Sequence, residues 1–538
     1  MKKNFFLSIL SGILLGISWP TYGFIFFLFF ALIPLIYLLN LINESKSNHK
    51  LAFVFLYSYL TFFIWNLMTT WWIINSSLVG AIFAIICNSS FYSIIICIYF
   101  WSLNRLPKIS SSLFLICLWI SFEKFHLNWE FTWPWLNLGN AFSESIQIIQ
   151  WYEYTGIFGG SLWVLIINFT LFNLVKTYLK SKDLKLCLKK SIPTLILITV
   201  PIFISILIYK NLAKPENKIK ISLLQPNIDP YEEKYFTTNI DNLELLKKMT
   251  EKEIDDKTEY LIAPETFFSQ GNGEEISDLN NSIFVDSVNN FLKKFPKLNF
   301  LSGIQLYEVT NSKFPPSKSS TEIKDDFWVD IFNSAIQFNL DKKHQIYHKS
   351  KFVPGVEIMP YKSFFKPLIG EFMINLGGTV SGRTPQKNRL VFKNPNNRIY
   401  TAPIICYESI YGSFVTEFTR NGAEFLTIIS NDGWWGDTQG HKQLLSLSKL
   451  RAIENRRAIA RSANTGISAF INIYGEIEEQ INYEKAGVLT NKLNLNDKIT
   501  FYVKYQDYIA RISFLLTLIL FSISLSGRLK TKNVTKIN

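Results

Sequence analysis

Long apolar runs separated by short polar breaks fill roughly the first 210 residues. The pattern then changes to short runs of β-formers alternating with amphipathic stretches. The first pattern predicts membrane-spanning helices, since a hydrocarbon core of about 30 Å calls for about 20 mostly apolar residues. The runs are Phe5 to Trp19, Tyr22 to Leu41, Leu51 to Ile74, Leu78 to Leu103, Ser110 to Phe122, Gly156 to Tyr178 and Ile192 to Tyr209, with a last one from Tyr508 to Leu525. Seven spans, one large polar insert and one closing span are therefore expected, the fifth span being the shortest. Lys2 and Lys3 ahead of the first run look like a signal peptide, but Ser18-Trp19-Pro20 is a poor cleavage site and another span follows at once, so the segment is read as retained.

The insert, from about Ala213 to Val503, reads as alternating strands and helices. Strands are expected at Lys218 to Leu224, Glu259 to Ala263, Asn299 to Leu306, Ile331 to Leu340, Gln345 to His348, Leu390 to Phe392, Tyr400 to Ile405, Phe425 to Ser430 and Ile467 to Ile473. Helical spacing is found over Asn239 to Asp255, Ile283 to Leu292 and Lys442 to Arg461. Strands and helices in this order, with long non-local connections, predict an α/β sandwich. The expected organisation is a membrane domain at 1–212, an α/β domain at 213–503, and a final span with its tail at 504–538.

Composition agrees with a chain that lies partly in lipid: 48% of its 538 residues are hydrophobic and 16% aromatic. Charge sets the orientation. Lys and Arg fall in alternate connections (Lys2 and Lys3; Lys46 and Lys50; Arg105 and Lys108; Lys180 to Lys190) and again at Arg528, Lys530 and Lys532. The loop from Glu123 to Tyr154 carries one Lys against four Glu. Both termini are thus expected in the cytoplasm and the insert outside it. The net charge of +13 is an anchoring bias rather than a sign of nucleic-acid binding. The tryptophans of the loop, Trp129, Trp133, Trp135 and Trp151, read as an interfacial belt or as a lipid-accessible floor beneath the insert.

Candidate chemistry centres on Cys406. It is the only cysteine after Leu188, and Cys87, Cys97, Cys117 and Cys187 lie in or beside apolar runs, so it has no evident disulfide partner. Alone it is either a small buried hydrophobe or a nucleophile. Glu265 and Lys349 also stand directly after predicted strands. A thiol needs a base or a positive field to react at neutral pH; a carboxylate can take its proton, and an ammonium can stabilise both thiolate and oxyanion. The bland alternatives are a helix cap for Glu265 and a solvated strand end for Lys349.

The ordered set Gln225-Pro226-Asn227-Ile228, Pro264-Glu265, Asn333-Ser334, Tyr347-His348-Lys349 with Val353-Pro354 and Glu357, Cys406-Tyr407-Glu408, Ser430 to Gly436, Arg451 to Asn455 and Arg461 to Gly466 resembles the carbon-nitrogen hydrolase (nitrilase) superfamily. Placed between membrane spans, it resembles that superfamily's apolipoprotein N-acyltransferase family. The resemblance implies an αββα sandwich, Cys406 as nucleophile, Glu265 as general base and Lys349 as stabiliser of the tetrahedral intermediate. It further implies supporting roles for Glu357, Tyr407, Glu408 and Asn333. The partners it implies are a membrane phospholipid as acyl donor, a diacylglyceryl-modified apolipoprotein as acceptor, and the bilayer of the bacterial inner membrane, with the insert facing the periplasm. The family's His-Leu-Val-Pro-Phe-Gly-Glu reads here Lys351 to Glu357, and its lid tryptophan is replaced by Tyr235 or Phe236. Substrate contacts are expected from Trp434, Trp435, Tyr235, Phe364 and Phe365, the last two in an apolar, cationic stretch from Ile358 to Ile374 that suits a lid on lipid.

Rival readings are a membrane-tethered amidase or nitrilase with water as acceptor, a non-catalytic lipoprotein-binding module, and a transporter. The last is disfavoured by the scarcity of ionisable residues within the spans. Neither a metal nor a nucleotide cofactor is expected: the five histidines form no ligand pair on one helix face, and no glycine-rich phosphate loop precedes a helix.

Overall fold

The computed structural model describes residues 2–229, 237–340, 343–365 and 382–526. The chain divides into a unit formed by Met1–Ile74, Leu78–Asn211 and Tyr505–Asn538, and a second formed by Asn75–Ser77 and Leu212–Lys504.

The first unit is helical. Among the described residues, six helices are long and apolar enough to cross a membrane: Ile25–Glu44, Lys50–Asn75, Leu78–Ser102, Ile157–Ser181, Leu184–Asn211 and Tyr508–Ser526. Two of the eight expected spans are not in this set. Lys2–Ile17 has 16 residues, which at about 1.5 Å per residue falls short of a hydrocarbon core. Lys108–His126 ends with Glu123 and Lys124 inside its last turns. Glu123 is buried there and accepts from Trp119 Nε1 (3.1 Å), Leu138 N (2.8 Å) and Ser161 Oγ (2.7 Å). One carboxylate thereby ties its own helix to the following loop and to a neighbouring helix, which satisfies a polar group that would be costly to bury alone.

The second unit is a two-sheet sandwich. One sheet contains β1 (Lys218–Gln225), β2 (Tyr260–Ile262), β3 (Glu274–Glu275), β4 (Asn299–Asn311), β5 (Thr321–Lys324), β6 (Phe327–Phe338) and β7 (Gln345–His348). The other contains β8 (Phe392–Lys393), β9 (Tyr400–Ile405), β10 (Phe425–Ser430), β11 (Ile459–Ala463), β12 (Ser468–Ile471) and β13 (Ile477–Ile481). The chain then returns as β14 (Gly487–Asn494) to pair antiparallel with β1 in the first sheet. The order is β14-β1-β2-β4-β6-β5, with β3 on β4 and β7 on β6, in one sheet, and β13-β12-β11-β10-β9-β8 in the other. At the centre, β1, β2 and β4 run parallel, as do β9, β10 and β11. Three of these central strands, Tyr260–Ile262, Phe425–Ser430 and Ile459–Ala463, are buried throughout, as expected of parallel strands covered on both faces.

The sheets face each other. Tyr260 on β2 meets Phe425 on β10 edge to face at 5.4 Å, and Ser462 Oγ on β11 donates to Leu224 O on β1 at 2.7 Å. Helices cover the outside. Helix Ile283–Leu292 points Phe284, Val285, Val288, Phe291 and Leu292 into a core shared with Leu261, Phe300, Ile304 and Phe338, the spacing of a single helix face. Helix Asn239–Thr250 adds Leu243 and Leu246, and starts at a capping box between Thr238 and Asp241.

The helix expected over Lys442 to Arg461 instead spans Gln439–Asn455, and Ile459–Ala463 is the central strand β11. The helix stops at Arg456, whose backbone is left-handed at φ 49°. Neither glycine nor proline marks that stop, so the apolar residues beyond it continued the helical pattern. Other elements were not expected, among them β3, β5, β13, β14 and the helix Gly412–Arg420.

Candidate active site

Four chain segments deliver the site, each just after a strand. Pro264 and Glu265 follow β2, Lys349 follows β7, Cys406 follows β9 and Asn431 follows β10. Glu265 can sit low against the sheet because β4 carries Gly303 beside it. A Cβ at Gly303 would lie 2.3 Å from Thr266 N, 2.5 Å from Pro264 O and 2.6 Å from Glu265 Cα, all of them backbone. Cys406 opens a 3-10 turn with φ 48°, a left-handed conformation that is strained for a residue with a Cβ.

Lys349 is almost fully buried, and its Nζ donates at 2.8 Å to Glu265 Oε1 and at 2.8 Å to Glu357 Oε1. Asn333 Nδ2 bridges the same two oxygens, at 2.8 Å to Glu265 and 3.3 Å to Glu357. The other oxygen of each carboxylate takes a backbone N–H: Asn431 N on Glu265 Oε2 (3.1 Å) and Val353 N on Glu357 Oε2 (2.9 Å). Glu357 reaches back because Gly355, at φ 83°, lets the 353–357 segment fold on itself, with Glu357 N donating to Val353 O at 3.0 Å. Burial works to lower the Lys349 pKa, but the two carboxylates outweigh it and hold the ammonium above its usual value.

The Cys406 thiol is 7% exposed and accepts a hydrogen bond from Ser430 Oγ at 3.3 Å. Burial first, then the nearby Glu265 carboxylate, pushes it up to about 12, while Lys349 pulls the other way. The resting sulfur is therefore a thiol at neutral pH, and its proton has to leave as it attacks.

Glu408 fastens the nucleophile segment to the lysine segment. Its Oε1 accepts from Tyr347 OH and Ser350 N, each at 2.7 Å, and its Oε2 from Ile405 N at 2.9 Å. It is fully buried, and burial outweighs these three donors, raising it to about 7. A carboxyl whose folded value lies above its unfolded one stabilises the protein below the unfolded value, and that contribution is lost as the pH rises through the folded value. Thermal unfolding should therefore show stability falling between about pH 4.5 and about pH 7, by on the order of 3 kcal/mol from this group. Glu408→Gln should flatten that slope and also lower overall stability, because the Gln amide nitrogen cannot accept.

Of the other expected residues, Tyr407 is buried with its ring edge-on to Tyr411 at 5.4 Å. Trp434 and Trp435 lie half-buried in a 3-10 turn whose carbonyls accept from Ser76 Oγ (3.3 Å) and Asn75 Nδ2 (2.7 Å). Phe364 is exposed and meets Phe365 edge to face at 5.0 Å. Tyr235 and Phe236 lie outside the described residues, as does the stretch from 366 to 374. No linear pattern marks the roles of Ser430 and the backbone of Asn431. Both sit in the motif from Ser430 to Gly436, but only the pairing of β10 with β9 brings them beside Cys406. Among the described residues, no group of three or more His, Cys, Asp or Glu is placed to hold a metal ion.

Residues 220–500 match the family model described as Carbon-nitrogen hydrolase, and residues 11–170 match the Apolipoprotein N-acyltransferase N-terminal domain. Relatives named Apolipoprotein N-acyltransferase include one from Chlorobaculum tepidum, 28% identical over 95% of both chains. Another, from Geobacter metallireducens, is 23% identical over 95% of this chain and 93% of its own. Among solved structures, Saccharomyces cerevisiae Nit3, a member of branch 10 of the nitrilase superfamily, is 16% identical and covers 52% of this chain and 91% of its own, with a TM-score of 0.36.

Proposed function

This chain belongs to the carbon-nitrogen hydrolase family, and from that membership we propose that it acts as an apolipoprotein N-acyltransferase. The enzyme moves a fatty acyl chain from a membrane phospholipid, through a thioester on Cys406, to the α-amine of a diacylglyceryl-cysteine. The observation that carries the reading is the buried Lys349 ammonium clamped between Glu265 and Glu357, in electrostatic reach of the Cys406 thiol. Near-full-length relatives of that name support the choice of acceptor.

In the first half-reaction the Cys406 sulfur attacks the ester carbonyl while Glu265 takes the thiol proton. The carbonyl oxygen becomes an oxyanion beside the Lys349 ammonium. Collapse breaks the ester C–O bond, Glu265 returns the proton to the leaving lysophospholipid alcohol, and the acyl chain stays on sulfur. In the second half-reaction the acceptor amine adds to the thioester and Glu265 takes a proton from its nitrogen. The C–S bond then breaks, Glu265 returns the proton to the departing sulfur so that the Cys406 thiol is restored, and an amide is formed. Glu357 and Asn333 keep the ammonium in position through both halves, while Glu408 and Tyr407 hold the turn that carries the nucleophile. Trp434, Trp435, Phe364 and Phe365 line the acyl path and keep water from the thioester.

The catalytic domain, 213–503, faces the periplasm, with both termini cytoplasmic. Whether Lys2–Ile17 and Lys108–His126 are both counted as spans or only the other six helices are, the domain lies on the side opposite the N-terminus. Either five or seven spans precede the domain, an odd number in both cases.

Incubating the purified protein with acyl-labelled phospholipid and a diacylglyceryl-cysteine peptide should label first Cys406 and then the peptide amine. Release of free fatty acid with no label on the peptide would instead favour the hydrolytic reading.

A further inference from the structure

We propose that Ser430 is a catalytic residue, its hydroxyl donating a hydrogen bond to the Cys406 sulfur as negative charge develops there. The placement follows from strand register. β9 and β10 run parallel with Ile405 abreast of Ile429, so the next residues along, Cys406 and Ser430, leave their strands side by side. Ser430 is fully buried, and its Oγ lies 3.3 Å from Sγ in donating geometry. Its backbone carbonyl is fixed by Asn464 N at 3.1 Å, and the next residue, Asn431, gives its own N–H to Glu265 Oε2. One strand end therefore addresses both the sulfur and the base that takes its proton.

The chemistry calls for such a donor. Lys349 is engaged by two carboxylates, so its charge is partly spent before it reaches the sulfur. A hydroxyl that keeps its own proton and points at sulfur stabilises the thiolate without competing for the proton that Glu265 receives. Later it stabilises the same sulfur as the leaving group, when the thioester C–S bond breaks.

This inference rests on the acyl-transfer reading for its biological consequence, but its test does not. The full-length protein in detergent is treated with iodoacetamide at pH 8, and carbamidomethylation of the peptide containing Cys406 is followed by mass spectrometry, in the wild type and in Ser430→Ala and Ser430→Thr. Loss of one hydrogen bond to a charged group should slow alkylation in Ser430→Ala by about tenfold, and Ser430→Thr should recover most of the rate. Equal or faster alkylation in Ser430→Ala, with an unchanged thermal unfolding midpoint, would overturn the proposal, since it would mean that the thiol donates to the serine. Acyl transfer is assayed on the same samples. If alkylation responds as stated while no variant or wild type acylates a peptide, the functional reading fails and the role of Ser430 stands.

Discussion

Replacing Cys406 with alanine should abolish acyl transfer, a loss on the order of a thousandfold or more, with little change in fold. The side chain is small, and its removal leaves Ser430 Oγ without this acceptor but touches none of the bonds among Lys349, Glu265, Glu357 and Asn333. Mass spectrometry of protein incubated with phospholipid should find an acyl adduct on the wild-type peptide and none on the variant. Cys406→Ser should behave almost as badly. A serine hydroxyl is harder to deprotonate than a thiol, and an oxygen ester would be a poorer acyl donor to an amine than a thioester. A variant without the sulfur that still acylated an amine at the normal rate would rule out the thioester route.

Lys349→Met should have the second largest effect, and on two observables. The cation is 2% exposed and its carboxylate partners 7% and 17%. Without it two carboxylates face each other across a single Asn333 amide, and removing one partner from a buried ion cluster costs about 3–5 kcal/mol. Acyl transfer should fall by about a hundredfold or more with the loss of the oxyanion's partner. The two effects can be separated by pH. Protonating one carboxyl relieves the repulsion, so the variant should regain thermal stability relative to the wild type as the pH falls. A variant with no such recovery would mean that the carboxylates had moved apart, and the cluster would then owe its shape to something other than this ammonium.

Much of the positioning of these residues was legible beforehand. The bounds of β7 and β9 agree with the expected Gln345 to His348 and Tyr400 to Ile405, because compact runs of β-formers end there in polar residues. Helix Ile283–Leu292 was readable for the same reason, having one apolar face between clear ends. What escaped the sequence depends on partners distant along the chain. Strand β13, Ile477–Ile481, is three-fifths Glu and Gln, and is extended because β12 pairs with it rather than because its residues favour a strand. Strand β14 alternates only weakly and is held by its eight-residue register with β1. The backbone N–H of Asn431 on Glu265 is of the same kind, since no side chain announces it.

The buried cluster sets two carboxylates against one ammonium. That surplus of negative charge favours an arriving α-ammonium group and resists a fatty carboxylate. The same imbalance that steadies the lysine thus sorts what enters the site. On the proposed acyl-transfer reading, an amine would be drawn toward the thioester and a free acid formed by an errant water pushed away, which would leave free fatty acid a poor source for reloading the sulfur.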